Sequence, residues 1–282
     1  MADPLGPATP TGTTRLAAVI GWPVRHSRSP ALVNAAFAAA GLDWTMVALE
    51  VAPGRAAAAV DAMRSLRVGG LSVTTPHKGD VVGVVDRLTP TAEALEAVNC
   101  IAWDGEDLVG HSTDGDGLVA SLREDEGLDL VDQRCVVLGA GGAARSVVRA
   151  LADAGASEVV VVNRTLDRGR QAARLAGPVG HTGAGAEVAG ADLVINATSV
   201  AMGAPAGAAG PLPVDAGLLH PGQVVVDLVY LPRWTPLLTA AERAGARPVE
   251  GMGMLVHQAK IAIELWTGTS PDVAAMAAAA RA

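Results

Sequence analysis

The chain has 282 residues, half of them hydrophobic, with 21 Lys plus Arg against 29 Asp plus Glu, a net charge of −8 and only seven aromatic rings: five Trp, one Tyr and one Phe. That apolar fraction is ample for a core and excludes disorder beyond the ends, while a negative chain poor in rings offers neither the charge nor the stacking platform that a nucleic acid requires. Cys100 and Cys135 stand alone in unlike contexts, so they read as reduced structural thiols, and no metal-ligand spacing is present.

The first 14 residues are rich in Pro, Gly and Thr and read as a loose tail without a signal peptide, and no apolar run is long enough to span a bilayer. A cytoplasmic protein with no membrane partner is expected. Apolar runs then alternate with Ala-rich stretches: strand Leu16–Gly21, helix near Ala31–Ala40, strand Thr45–Val51, helix near Gly54–Leu66 and a strand around Leu71–Thr74. Such βαβαβ alternation, with strands apolar on both faces, predicts an α/β fold with a parallel sheet.

Between the first strand and helix lies Ser27-Arg28-Ser29-Pro30. Ser29 before Pro30 reads as a helix cap, whereas Ser27 has no such duty, and two hydroxyls at a helix N-terminus make a carboxylate site. Thr74-Thr75-Pro76-His77-Lys78 repeats the strand-to-helix layout, with Thr75 as cap and Lys78 in the first turn. There the helix dipole disfavours a cation by about 0.3–1 kcal/mol and so favours release of its proton. Asn99 opens the strand Cys100–Trp103, Asp104-Gly105 signals a hairpin and Leu108–Gly110 returns, which carries Asn99 close to Ser112–Asp114. Asp114 is also placed to cap a helix beginning near Gly117.

A second series starts after the polar stretch Glu124–Gln133, where, or in the helix just before which, a domain boundary is expected. It comprises strand Arg134–Leu138, helix Ala144–Ala154 and strands Glu158–Val162, Asp192–Asn196 and Val224–Leu228. Gly139-Ala140-Gly141-Gly142-Ala143-Ala144 follows a buried strand and opens a helix, the form of a dinucleotide fingerprint, in which the turn and the helix N-terminus receive a pyrophosphate. About 24 residues after Gly139, the next strand ends in Asn163-Arg164-Thr165, with Arg168 one turn on. A carboxylate there would favour NAD; a guanidinium suits the 2′-phosphate of NADP. Because no ring lies near in sequence, Arg164 is also expected to lie flat over the adenine. Ala201–Pro213 reads as a long loop, and Met254–Trp266 as a helix that returns to the first domain.

Taken in order, these motifs resemble shikimate dehydrogenase from Gly21 to Gly268. They include Gly21-Trp22-Pro23, Ser27-x-Ser29-Pro30, Ser72-Val73-Thr74 to Pro76-x-Lys78, Ala97-Val98-Asn99, Ser112-Thr113-Asp114-x-x-Gly117 and the fingerprint. Asn163-Arg164-Thr165, Ile195-Asn196-Ala197-Thr198-Ser199, Asp227-Leu228-Val229-Tyr230 with Thr235-Pro236-Leu237, and Met254-Leu255-Val256-x-Gln258-Ala259 complete the set. The resemblance implies two α/β domains, a discontinuous substrate domain of residues 1–115 plus 252–282 and a Rossmann-like NADP-binding domain of residues 116–251, with a cleft between them. It implies NADPH-dependent reduction of 3-dehydroshikimate by a monomer or homodimer, with Lys78 and Asp114 catalytic.

By the same resemblance Ser27 and Ser29 hold the substrate carboxylate, Thr74, Asn99 and Gln258 join Lys78 and Asp114 around the ring, and Tyr230 borders the pocket. Gly139, Ala140, Gly141, Gly142, Ala143, Asn163, Arg164, Thr165, Arg168, Thr198 and Gly251 then serve the cofactor. The sequence departs from the commonest family pattern at Ser72 and Ser112, where Asn is usual, and at Ala201, where Gly is usual; shorter hydroxyls at the first two leave room for a bridging water. The competing expectations are a quinate/shikimate dehydrogenase using NAD, an aminoshikimate-type enzyme, and a non-catalytic NADP-sensing module.

Overall fold

The computed structural model describes residues 9–203 and 210–282. They form two compact units, the first running to Thr113 and resuming at Val256–Ala282, the second spanning Asp114–Leu255. The division falls at the head of a helix, ahead of the polar stretch Glu124–Gln133, because that helix packs within the second unit.

In the first unit β1 (Arg15–Gly21), β2 (Trp44–Glu50) and β3 (Gly70–Val73) run parallel with β1 in the middle, joined by α1 (Ser29–Ala39) and α2 (Ala56–Ser65). The sheet is completed by β4 (Arg87–Leu88) and, after α3 (Pro90–Leu95), by the hairpin β5 (Cys100–Asp104) and β6 (Asp107–His111), in the order β2-β1-β3-β5-β6-β4. β5 lies antiparallel to both β3 and β6, so the sheet is mixed rather than wholly parallel. Two of its rings close over glycines. The Trp266 indole donates to Ile101 O at 3.0 Å, and its ring covers Gly70 so closely that a Cβ there would lie 2.3 Å away. Trp44 closes over Gly69 in the same manner, and the Arg15 guanidinium lies over the Trp44 ring at 4.5 Å from its centroid.

Two expectations in this unit fail locally. No helix follows Thr75-Pro76: residues 75–84 form a series of hydrogen-bonded turns, with a cis peptide before Pro76 and separate bonds from His77 N to Thr74 O and from Val82 N to Gly79 O. Gly79 and the β-branched Val81, Val82, Val84 and Val85 are weak helix formers, so propensity does not carry the turn forward. Lys78 therefore sits at no helix N-terminus and meets no helix dipole. Ser29, in turn, is the first helical residue of α1 and not its cap; Arg28 occupies the cap position without a side-chain bond.

The second unit opens with α4 (Asp114–Glu124) and is built on β7 (Arg134–Leu138), α5 (Gly142–Asp153), β8 (Glu158–Val162), α6 (Leu166–Ala173), β9 (Gly180–Gly183), β10 (Leu193–Asn196), β11 (Val224–Asp227), α7 (Pro236–Arg243) and β12 (Arg247–Glu250). The strands are all parallel in the order β12-β11-β10-β7-β8-β9, a doubly wound sheet with its switch point between β7 and β10. Its core lies on both faces, Val137, Val159 and Ile195 packing toward α5 and Val136, Val160 and Val225 toward α7. β9 and β12 escape a sequence reading because they are edge strands: Gly180-His181-Thr182-Gly183 has low β-propensity, and Pro248 is tolerated only at an edge.

The chain then enters α8 (Met252–Thr267) and α9 (Val273–Arg281), the latter packed on α1. The expected loop Ala201–Pro213 falls partly, at residues 204–209, outside the described residues. No helix among the described residues is long and apolar enough to cross a membrane. Cys100 and Cys135 are buried and unpaired, and burial pushes both thiols up to about 12.

Candidate functional site

In the first unit the candidate residues collect where β1 and β3 end. Trp22 N donates to Thr75 O at 3.0 Å and Thr74 N to Ile20 O at 2.9 Å, and Gly21 permits the approach, since a Cβ there would meet Thr74 Cγ2 at 2.5 Å. The Ser27 hydroxyl accepts from Ser29 N at 3.2 Å, so the two serines are held together at the head of α1 beside that junction. Freed from capping, the Ser29 hydroxyl keeps its donor and acceptor capacity for another group.

Asn99 anchors the other side. Its backbone carbonyl accepts from Val73 N at 2.8 Å, next to Thr74, and Lys78 O accepts from Val98 N at 2.8 Å. Two main-chain bonds thus set Thr74 and Lys78 alongside Asn99, a register that chain spacing does not reveal. The Asn99 side chain is 4% exposed; its Oδ1 accepts from Thr113 N at 2.7 Å, and its Nδ2 donates to Thr113 Oγ1 at 2.9 Å and to Gln258 Oε1 at 3.4 Å. The hairpin β5–β6 does bring Asn99 to the Ser112–Asp114 segment, and its partner there is Thr113. Thr113, which its place between Ser112 and Asp114 does not mark out in sequence, fixes the amide with both its backbone and its hydroxyl. Buried His77 adds a brace from the lysine turn to the end of β2, its Nε2 lying 2.7 Å from Val51 O.

In the second unit Asp114 is 7% exposed and is the first residue of α4, three residues earlier than the cap reading placed the helix start at Gly117. A carboxylate at a helix N-terminus is favoured by the dipole. α4 is pressed on α5, for Gly115 N donates to Ser146 Oγ at 2.8 Å and a Cβ on Gly115 would stand 2.4 Å from Ser146 O.

The fingerprint turn has the shape expected of it. Gly139 adopts φ +111°, and Gly141, in extended conformation, occupies the N-cap of α5 with no side chain to cap it. A Cβ on Gly141 or on Gly142 would have nothing within 4 Å, so the backbone at the head of α5 borders open space. Ala140 and Ala143 complete the turn, and Ala144 is fully buried against the sheet. At the end of β8 the Asn163 amide donates to Thr165 O at 2.8 Å, and Thr165 is the N-cap of α6 without using its hydroxyl. Arg164 and Arg168 are exposed, and among the described residues neither enters an ion pair, whereas Arg170 is taken by Asp167 at 3.3 Å.

Thr198 donates through both its amide and its hydroxyl to Asn196 Oδ1, at 3.0 and 2.7 Å. Tyr230 is half-buried on the loop after β11. Gly251 has a packing reason as well as an expected binding one: a Cβ there would meet Asp227 O at 2.4 Å and Leu228 Cα at 2.7 Å. The open N-terminus of α5, the φ of Gly139 and two unshared guanidinium groups after β8 together fit a phosphorylated dinucleotide.

Three family models match the chain: the shikimate dehydrogenase substrate binding domain over residues 19–101, shikimate / quinate 5-dehydrogenase over 121–202 and the shikimate 5′-dehydrogenase C-terminal domain over 251–281. The shikimate dehydrogenase (NADP(+)) of Geobacter metallireducens is 43% identical over 272 residues, 93% of this chain and 94% of that protein. Among solved structures, a shikimate dehydrogenase in complex with NADP+ superposes with a TM-score of 0.91 at 33% identity, covering 98% of both chains. The Thermus thermophilus shikimate 5-dehydrogenase in complex with NADP(H) and shikimate gives 0.88 at 34% identity, over 95% of this chain and 99% of that one.

Proposed function

The chain belongs to the shikimate dehydrogenase family, and we propose that it catalyses the reversible, NADPH-dependent reduction of 3-dehydroshikimate to shikimate, in the cytoplasm, within chorismate and aromatic amino-acid biosynthesis. The observation that carries this reading is the buried Asn99 amide bonded to Thr113 and Gln258, with Thr74 and Lys78 registered beside it by main-chain bonds. A hydroxyl, an amide and a lysine carried on segments held together in this way suit a small polyhydroxylated ring, and Ser27 and Ser29 supply donors for its carboxylate.

NADPH, when bound, supplies the hydride for the C3 carbonyl. Gly139 to Ala143 hold its pyrophosphate through main-chain amides, and Asn163, Arg164, Thr165 and Arg168 receive the 2′-phosphate and adenosine, with Thr198 and Gly251 beside the rest. The Lys78 ammonium donates a proton to the developing alkoxide at the C3 oxygen, and Asp114 orients the ammonium and the substrate hydroxyl. Positioning and charge stabilisation of this kind need no metal.

The purified protein is assayed for NADP-linked oxidation of shikimate and NAD-linked oxidation of quinate. A kcat/KM for shikimate with NADP at least 100-fold above that for quinate with NAD is expected. The reverse ratio would establish a quinate enzyme, and NADP binding without turnover a sensing module; either refutes the reading. Sedimentation of the same preparation distinguishes monomer from homodimer.

A further inference from the structure

The ends of β10 and β11 in the second unit carry buried polar side chains that the binding roles above leave unexplained. Asn196 is fully buried and Asp227 is 1% exposed. Asp227 Oδ1 accepts from Asn196 Nδ2 at 2.8 Å and from Val229 N at 3.0 Å, and its Oδ2 accepts from the Thr235 hydroxyl at 2.7 Å. Asn196 spends its own oxygen on the amide and hydroxyl of Thr198, whose Oγ1 accepts from Val200 N at 3.2 Å. Thr235 in turn caps α7 by accepting from Leu238 N at 3.3 Å. The donors converge on one carboxylate, a fully connected polar chain in a place where burial alone pushes the Asp227 carboxyl above its usual range.

Pairing of β10 with β11 does not require this chain, since Leu193, Val194 and Ile195 already sit opposite Val224, Val225 and Val226. Apolar side chains of similar volume would close the space without desolvating a charge. What the cluster adds is a rigid tie between the loop after β10, which bears Thr198, and the loop after β11, which bears Tyr230; a further bond from Gly203 N to Leu231 O at 2.9 Å joins the same two loops. Both loops follow strands on one side of β7, whereas Arg164 and Arg168 follow β8 on the other side. In a doubly wound sheet the dinucleotide spans two mononucleotide-binding halves, with the pyrophosphate at the turn after the central strand. The arginines therefore serve the adenosine half, and the tied loops serve the nicotinamide half.

We propose that Asp227, with Asn196 and Thr235, is a positioning cluster that presets the two nicotinamide-side loops of the second unit for the cofactor. The inference rests on the NADP reading above. It assigns Asp227 no contact with cofactor or substrate; the residue acts through Thr198 and through the loop bearing Tyr230. An Asp227→Asn substitution replaces one acceptor oxygen by a donor in a ring of donors, and Thr235→Val removes one strand of the tie, whereas Thr235→Ser keeps the hydroxyl.

The test compares the affinities of the full-length variants for NADP and for 2′,5′-ADP, which carries the adenosine and 2′-phosphate but no nicotinamide, by calorimetry below the melting temperature of each variant. Asp227→Asn and Thr235→Val are expected to weaken NADP at least tenfold while 2′,5′-ADP stays within about twofold, and Thr235→Ser is expected to behave as the parent. Equal weakening of both ligands would show a general structural role and overturn the proposal, as would unchanged affinity for NADP. If Asp227→Asn does not fold, the Thr235 pair gives the same decision. A parent chain that binds NADP without oxidising shikimate refutes the proposed activity and leaves this comparison intact.

Discussion

Arg164, on the turn between β8 and α6, is a charged, exposed side chain with no carboxylate to answer it among the described residues, while Arg170 within α6 has one. A hydrogen bond to a charged group contributes about 1.5–3 kcal/mol, which is roughly 10- to 150-fold in affinity. Arg164→Ala is accordingly expected to raise KM for NADP by about 10- to 100-fold and to change KM for NAD far less. Arg164→Lys, which keeps the charge and loses the planar fork, should fall between the two; a variant with parental NADP affinity would remove Arg164 from both the phosphate and the adenine.

Lys78 poses the other question at this scale. Its turn contains no helix, so its chemistry owes nothing to a dipole; what the structure provides is registration, through its carbonyl, beside Asn99. Lys78→Met should lower kcat by about 10²–10⁴-fold, the usual worth of a positioned acid, with KM for shikimate changed only a few-fold. Steady-state kinetics read both numbers, and a near-parental kcat would exclude the assignment.

At the scale of elements, glycines separate packing from binding. Gly70 lies beneath the Trp266 ring at a distance that admits no Cβ, whereas a Cβ on Gly141 would project into open space. Gly70→Ala is thus an overpacking change that should cost about 1–3 kcal/mol of stability or more. Gly141→Ala should leave stability within about 0.5 kcal/mol of the parent and still weaken NADP, because the added methyl group stands where the pyrophosphate must approach. Thermal melts and NADP titrations of the two variants should show opposite patterns. A destabilised Gly141→Ala with normal NADP binding would reverse the reading of the turn.

For the molecule as a whole, acid stability follows from carboxylates such as Asp86. The Arg64 guanidinium and the Leu108 amide hold its carboxyl below the usual range, at 2.7 Å from Arg64 Nη1 and from Leu108 N. A depressed folded-state value gives stability that is fully present above the unfolded value of about 4 and is lost as pH falls through the folded one. Asp86→Asn should therefore lower the melting temperature at pH 7, and the difference from the parent should shrink as pH falls below about 4. A difference that persists unchanged at low pH would show that the carboxylate charge is not what Asp86 contributes.

The buried Val-rich strands, the fingerprint from Gly139 to Ala144, the Arg in place of an acidic residue after β8 and the hairpin turn at Asp104-Gly105 could all be read in the chain, because each is local: a few neighbouring residues set period, turn type or charge. The edge strands β9 and β12 were not legible, since pairing with a neighbour overrides their poor intrinsic propensity. Nor was the lack of a helix after Pro76, where capping signals and weak helix formers point in opposite directions.

The scarcity of rings likewise has one meaning in sequence and another in space. By itself it excludes a base-stacking protein, but only the fold shows Trp44 and Trp266 closing over Gly69 and Gly70. Sequence alone determined the class of fold and the kind of ligand, since both follow from local pattern and residue chemistry. Only tertiary structure decided that Thr113 holds Asn99, that Gln258 joins them from 159 positions away, and that Asp227 draws in donors from three segments. Such hydrogen bonds depend on strand register and on distance in three dimensions, and neither quantity is carried by the order of residues along the chain.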